Sequence, residues 1–217
     1  MTSLPLYWPL GAGVADLASG DAAAPWQRAV FEQAHSLVLL DTLTPIPALR
    51  EEEPEIDPLA GLERLAVIQP RGLAPADNVA LDDWVRGGGR LLLVLDPLLT
   101  GDYDLPLGDP RRPSDTALIP PVLARWGMAI VFDDQQDDAV RTVRLGKAAI
   151  PLQLSGELRL NPSARGECIL IAEGAGARCK IGAGRVTVMA DAAVFENEPA
   201  APSARDAIAA LMTFAFE

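Results

Sequence analysis

A run of five apolar residues at positions 91–95, Leu-Leu-Leu-Val-Leu, constrains the fold of this chain most. It follows Gly87-Gly88-Gly89 and stops at Asp96-Pro97. A short continuous apolar run bounded by turn residues is typical of a β-strand buried on both faces, and such strands occur mainly in parallel sheets covered by helices. The run therefore predicts a central strand of an α/β sheet.

Further elements alternate with this strand along the chain. Apolar runs at 3–7, 37–40, 65–68 and 186–190 predict more strands, and proline-initiated amphipathic segments from Pro25 and Pro75 predict helices between them. The last helix is expected to turn Ala207, Ile208 and Leu211 inward. This alternation predicts a parallel sheet with helices on both faces.

The pattern changes after residue 128. Short runs separated by turn residues, at 142–145, 150–154, 158–160, 168–172 and 178–181, predict antiparallel β structure. The chain of 217 residues has the length of one domain. We therefore expect a single α/β domain over residues 1–217, with an inserted or appended antiparallel section at about 140–182.

Composition narrows the function classes. The chain is 49% apolar and carries 18 basic against 30 acidic residues, a formal net charge of −12. Binding to nucleic acid or to an anionic membrane surface relies on a basic face, so neither is expected. No apolar run reaches the roughly 18–20 residues that span a bilayer, and no signal peptide is visible, so direct membrane insertion by this segment is not expected.

Polar residues stand at the ends of four apolar runs. They are Asp41 with Thr42, Gln69, Asp96 and Asp191. Because ligands of open parallel sheets bind beyond the carboxyl ends of the strands, these side chains are candidates for one ligand-binding crevice. Three carboxylates could hold a cation or bind sugar hydroxyls. Alternatively, each aspartate only begins a turn by accepting a hydrogen bond from nearby backbone.

The sequence lacks the residues of a nucleophile-based catalyst. The runs at 91–95 and 186–190 are followed by Asp96-Pro97 and Asp191-Ala192, without the serine or cysteine of a nucleophile elbow. His35, the sole histidine, is expected at a helix end. No catalytic residue, metal site or cofactor is therefore predicted, and the chain is expected not to be an enzyme.

The two cysteines, Cys168 and Cys179, flank a predicted hairpin turn at 174–176. That register places Cys168 opposite residue 183 and the two thiols roughly 13 Å apart, too far for a disulfide. Free thiols are therefore expected.

Several segments taken together resemble a known family, the soluble domain of GldG-like auxiliary proteins of ABC-type transport systems and the related DUF4350 domains. The likeness covers about residues 36–135 and 180–217, and is carried by residues 65–70, 75–93, 96–97, 123–128 and 184–191. It implies a flavodoxin-like sheet, similar to that of class I glutamine amidotransferases, without their catalytic cysteine and His-x-Glu. It also implies protein partners in a membrane transport complex and an extracytoplasmic, membrane-tethered location. Without this resemblance the location is unknown, and a cytoplasmic one is the alternative.

Two hypotheses follow. The first is a non-catalytic binding or scaffold module, an accessory component of an ABC-type transport or export system. The second is a small-molecule or carbohydrate-binding domain, or a metal-assisted hydrolase, that uses the strand-end carboxylates. The second requires that Asp41, Asp96 and Asp191 converge on a pocket, and it fails for these residues if they are remote or buried against backbone amides.

Overall fold

A five-stranded mixed sheet forms the centre of the computed structural model, which describes residues 1–11, 19, 23–48, 50, 54–162, 167–196 and 202–217. The strand order is β1-β2-β9-β8-β7. Strands β1 (Arg64–Ile68), β2 (Arg90–Val94) and β9 (Gly184–Met189) run parallel. Strands β8 (Gly176–Ile181) and β7 (Cys168–Ile171) complete the sheet as an antiparallel hairpin.

The alternation of side chains along β2 explains why both faces of the sheet are covered. Leu92 and Val94 belong to one hydrophobic cluster, and Leu91 and Leu93 belong to the other. All four side chains are fully buried. The strand run that dominates the sequence therefore lies between two cores.

Helices cover each face of the sheet. On the side of Leu92 lie α1 (Trp26–Glu32), α4 (Ala193–Glu196) and α5 (Pro202–Phe216). On the side of Leu91 lie α2 (Pro75–Arg86) and α3 (Pro121–Arg125). Ala207, Ile208 and Leu211 are buried as the sequence predicts.

Two small antiparallel sheets accompany the central one. Strand β3 (Met128–Val131) pairs with β6 (Glu157–Leu160), and β4 (Arg141–Leu145) pairs with β5 (Ala148–Leu152). The division into one domain with an antiparallel section at about 140–182 stays a prediction. No helix in the described part of the chain combines the length and apolar character that crossing a bilayer requires.

The predicted flavodoxin-like (class I glutamine amidotransferase-like) parallel sheet is wrong. Among the described strands, the parallel part of the central sheet consists of β1, β2 and β9, and the antiparallel β7–β8 hairpin occupies the other side. An apolar run buried on both faces does not reveal whether its neighbour runs parallel or antiparallel, which is the physical reason for the error.

The runs at 3–7 and 37–40 are not strands. Thr2 forms an isolated parallel bridge with Ile68, so the beginning of the chain covers part of the free edge of β1. In the second run, Val38 is 64% exposed and Leu39 is 52% exposed. The segment is apolar because it borders a groove, described below, and not because it is buried in the sheet.

Cys168 and Cys179 are joined by a disulfide, so the expectation of free thiols is also wrong. The hairpin register places the two cysteines directly opposite each other, with Ile171 opposite Gly176. The turn lies at 172–175, about two residues earlier than the glycine pattern suggests. Since a small shift of a turn moves both strands, it brings the two sulfurs together.

Candidate functional site

Gln69 and Asp96 connect β1 to β2 beyond the last residues of the two strands. The Oε1 atom of Gln69 accepts the backbone N–H of Asp96 at 2.8 Å. Its Nε2 atom donates to the carbonyls of Asp96 at 3.1 Å and Ser114 at 2.9 Å. The fully buried Gln69 side chain thus replaces backbone pairing and is not free to contact a ligand.

Asp96 and Asp191 are brought together at this end of the sheet, but both are buried, with exposed fractions of 1% and 2%. Asp96 accepts the N–H groups of Leu98 at 2.8 Å and Ala192 at 2.7 Å. Asp191 accepts the N–H groups of Ala193 and Gln153, each at 2.7 Å. Both carboxyl groups therefore hold the loops after the strands in place.

Burial also changes the proton affinity of this pair. Burial raises the pKa of Asp96 to about 7, against the opposing effect of its two backbone N–H donors. Burial, followed by the charge of Asp96, raises the pKa of Asp191 to about 8. Near neutral pH the pair is therefore partly protonated, in contrast to ordinary aspartates.

Glu196 adds a third carboxylate to this region, and its donors all come from one loop. It accepts the Tyr103 hydroxyl at 2.6 Å, the N–H of Gly101 at 3.0 Å, and the N–H and hydroxyl of Thr100, each at 3.2 Å. Burial and this hydrogen bond raise the pKa of the Tyr103 hydroxyl. Glu196 fastens the 100–103 loop, and its oxygens are occupied.

Asp41 and Thr42 do not join these residues. The Thr42 hydroxyl donates to Asp77 Oδ1 at 3.0 Å, and Asp77 also accepts from Leu43 and Thr44. Asp41 is exposed, and none of the described contacts links it to Asp96 or Asp191. The condition under which a crevice built on these carboxylates fails is met, because Asp96 and Asp191 are buried against backbone amides.

Among the described residues, no group of three or more His, Cys, Asp or Glu side chains is placed to hold a metal ion.

A groove of about 430 Å³ lies beside β1, which is an edge strand of the central sheet. One wall is formed by residues 61–66 and Ile68, and the other by residues 34–40. Phe31, Met212 and Phe216 contribute apolar surface from α1 and α5. The volume falls within the range of about 300–1,000 Å³ that is common for small-molecule sites.

The polar side chains that border this groove without a hydrogen-bond partner in the described part of the chain include Tyr7, His35, Glu63 and Arg64. Burial, followed by the charge of Arg64, lowers the pKa of His35, so its imidazole is mostly neutral at pH 7. The His35 ring meets Phe216 edge to face at 5.8 Å. The groove therefore combines apolar walls with donors and acceptors that have no partner within the described part of the protein.

A second groove, of about 510 Å³, lies between α2 and α3. Most of its polar side chains are already engaged, with the exception of Asp83. Asp82 accepts from Arg86, Arg125 and Trp126, and Asn78 donates to the backbone carbonyls of residues 73 and 74. Because these groups have internal partners, the groove beside β1 is the stronger candidate site.

This groove was not predicted from the sequence. Its residues come from the start of the chain, the end of α1, β1 and α5. The one local signal is the apolar run after His35, and a buried strand explains such a run equally well.

The fold and the groove define an α/β domain with a mixed central sheet and a ligand-sized site beside an edge strand. No family model and no curated protein matches the chain. It is similar to parts of solved structures.

One of these structures is an exo-β-1,4-mannosidase from Opitutaceae bacterium strain TAV5, with 15% identity and a TM-score of 0.44 over 73% of this chain and 26% of that one. Another is a β-galactosidase from Rahnella sp. R3, with 12% identity and a TM-score of 0.45 over 70% of this chain and 22% of that one. A catalytic mutant of a GH42 β-galactosidase from G. stearothermophilus gives 13% identity and a TM-score of 0.40 over 60% and 19%. The chain spans about a quarter or less of the length of these enzymes.

The prediction that the chain is not an enzyme is corrected, because it rests only on the absence of a nucleophile elbow and of a second histidine. The signals that are absent belong to catalysts that use a serine or cysteine nucleophile and a histidine base. Glycosidases instead act through pairs of carboxyl groups, which those signals do not cover. The absence of a nucleophile elbow therefore does not exclude chemistry of that kind.

Proposed function

We propose that this domain binds a carbohydrate in the groove beside β1. The observation that carries the proposal is the set of four side chains, Tyr7, His35, Glu63 and Arg64, that border an apolar groove of ligand size and have no hydrogen-bond partner in the described structure. Polar groups left unpaired beside apolar surface are suited to a ligand that offers both hydroxyl groups and C–H surface.

The chemistry of the four side chains matches that of a saccharide. Each sugar hydroxyl both donates and accepts, so a site needs both kinds of partner. Glu63 offers acceptors, Arg64 offers donors in a fixed fork, and neutral His35 offers one of each. The apolar walls supply surface for the C–H faces of a pyranose, whereas one face of the Tyr7 ring is covered by the Arg28 guanidinium at 4.0 Å.

A titration of the protein with neutral β-1,4-linked mannotetraose tests the proposal. We expect saturable binding with a dissociation constant of about 1 mM or tighter by isothermal titration calorimetry. Ala34 is exposed and lines the groove, so Ala34→Trp should obstruct it and weaken binding at least tenfold. Ala124 is exposed on α3 and does not line the groove, so Ala124→Trp is the matched control. Binding that is absent, or equal in both variants, contradicts the proposal.

We also propose that the domain works in an extracytoplasmic compartment, as the resemblance to GldG-like domains implies. The Cys168–Cys179 disulfide supports this location, because disulfides persist mainly in oxidising compartments. Partners in a membrane transport complex stay a prediction of that resemblance. Western blotting of cell fractions with an antibody to the domain tests the location, and recovery in the cytoplasmic fraction alone would contradict it.

A further inference from the structure

Four basic residues lie in one row across four neighbouring strands. Arg64 is directly opposite Arg90, Arg90 is opposite Arg185, and Arg185 is opposite Lys180. Residues directly opposite each other lie on the same face of a sheet, about 4.8 Å apart from strand to strand, so the row spans about 14 Å. Arg90 Nη1 donates to the Phe216 carbonyl at 2.8 Å, which places the row on the α5 face.

The charges of this row are not neutralised within the described structure. Arg64, Arg185 and Lys180 form no ion pair with any described residue. Arginines elsewhere that pair with carboxylates include Arg28, Arg86, Arg111, Arg112, Arg125, Arg141 and Arg159. The C-terminus of α5 carries roughly half a negative charge, which offsets only part of the positive charge of the row. In a chain with a net charge of −12, this row is a local concentration of positive charge without carboxylate partners.

Two polar side chains lie next to this row on the same face of the sheet. Arg178 and Thr187 are register partners on β8 and β9, one step along from Lys180 and Arg185. The Nε atom of Arg178 and the Oγ1 atom of Thr187 are both buried and have no hydrogen-bond partner in the described structure. Thr187 is fully buried, and the Arg178 guanidinium lies over the Phe214 ring at 4.5 Å, so α5 covers both groups and the ligand contacts are left to the four residues of the row.

The row is continuous with the proposed carbohydrate site, because Arg64 borders the groove and begins the row. We infer that the ligand of the groove is an acidic oligosaccharide, whose carboxylate or sulfate groups bind along Arg64, Arg90, Arg185 and Lys180. This inference rests on the proposed function. A short ligand with few charges fits a row of about 14 Å. A nucleic acid strand carries its charge much further, and the net charge of −12 disfavours its binding.

A matched pair of probes tests the inference: neutral β-1,4-mannotetraose and β-1,4-tetramannuronate, which share linkage and ring and differ in their carboxylates. In about 20 mM salt we expect the acidic probe to bind the unmodified protein at least tenfold more tightly. The double variant Arg185→Gln, Lys180→Gln should lose this preference and bind the neutral probe unchanged. The control Arg111→Gln, Arg159→Gln removes the same charge from ion-paired residues elsewhere and should keep the preference.

The outcomes separate the two proposals. Equal binding of the two probes, or a preference that persists in the Arg185→Gln, Lys180→Gln variant, overturns the acidic ligand and leaves carbohydrate binding intact. Failure of both probes to bind overturns the carbohydrate function itself, and the inference with it. Tighter binding of a ten-residue oligothymidylate than of tetramannuronate also overturns the inference, in favour of a nucleic acid ligand. Thermal unfolding of each variant verifies that it is folded.

Discussion

Arg90 and Arg185 lie directly opposite each other on the parallel strands β2 and β9, with both guanidinium groups on the α5 face of the sheet. Lys180 follows Arg185 on β8 in the same register. Like charges at directly opposite positions destabilise a sheet. This arrangement is therefore better explained by a ligand than by the stability of the fold.

Removal of one charge from the row should stabilise the protein. We expect Arg185→Gln to raise the free energy of unfolding by about 0.2–1 kcal/mol at low salt, because repulsion from Arg90 and Lys180 is relieved. The gain should shrink at about 1 M salt, where exposed charges are screened. Urea denaturation at the two salt concentrations measures both effects. Arg159→Gln, which breaks an exposed pair with Glu157, should give no gain, and a loss of stability in Arg185→Gln would refute this account.

The buried pair of Asp96 and Asp191 should make stability fall as the pH rises. Their folded pKa values, about 7 and about 8, lie above the unfolded value of about 3.9. Their stabilisation is fully present below about pH 4 and is lost as the pH rises through about 7 to 8. Between these limits each group lowers the free energy of unfolding by at most about 1.4 kcal/mol per pH unit.

Comparison of the unmodified protein with Asp191→Asn isolates this effect, because asparagine does not titrate. We expect the variant to be less stable at pH 5, where it lacks one hydrogen bond from a backbone amide, and the deficit to narrow or reverse by pH 8.5. Asp102→Asn, on an exposed loop, is the control. Parallel pH profiles for the unmodified protein and Asp191→Asn would show that the carboxyl group does not titrate in this range.

Gly184 should tolerate no side chain. A Cβ atom there would collide with the backbone carbonyl oxygens of Val85 and Gly89, where β9 begins beside the end of α2. Because backbone on both sides cannot move freely, we expect Gly184→Ala to cost about 1–3 kcal/mol of unfolding free energy, or more. Gly87→Ala meets only ordinary contacts and should leave stability unchanged or slightly higher. Equal midpoints of chemical denaturation for the two variants would show that Gly184 does not lie this close to the backbone of Val85 and Gly89.

The Cys168–Cys179 disulfide should be detectable by thiol titration. In denaturant without reductant we expect no reactive thiol, and two after reduction. Reduction, or Cys168→Ser, should lower the free energy of unfolding by about 2–4 kcal/mol, because the bond closes a loop of separation 11. Two reactive thiols in the unreduced protein would show that the bond does not form in solution.

The sequence predicted the elements that are decided locally. The strands near 65–68, 91–95 and 186–190, and the helix from Pro75 to the glycines at 87–89, are confirmed because burial and turn residues act within a few positions. The candidate site depended on contacts between distant segments. Asp96 accepts a hydrogen bond from the backbone N–H of Ala192, which is 96 residues away. The local sequence pattern around Asp96 does not indicate such a distant contact. The β7–β8 register likewise depended on where a turn closes.

The groove is another feature that the local sequence pattern does not predict. The run at 37–40 is as apolar as a strand, yet its exposed Val38 and Leu39 line a space beside β1. Periodicity measures how apolar a segment is, and does not say whether a protein neighbour or a ligand covers it.

An NMR titration of isotope-labelled protein with β-1,4-mannotetraose tests the central claim, carbohydrate binding beside β1, most directly. The account predicts that saturable amide shifts concentrate at residues 34–40 and 63–66, on the two walls of the groove. Shifts confined to residues 75–83 and 121–125, which line the second groove, or no shifts at all, would contradict it.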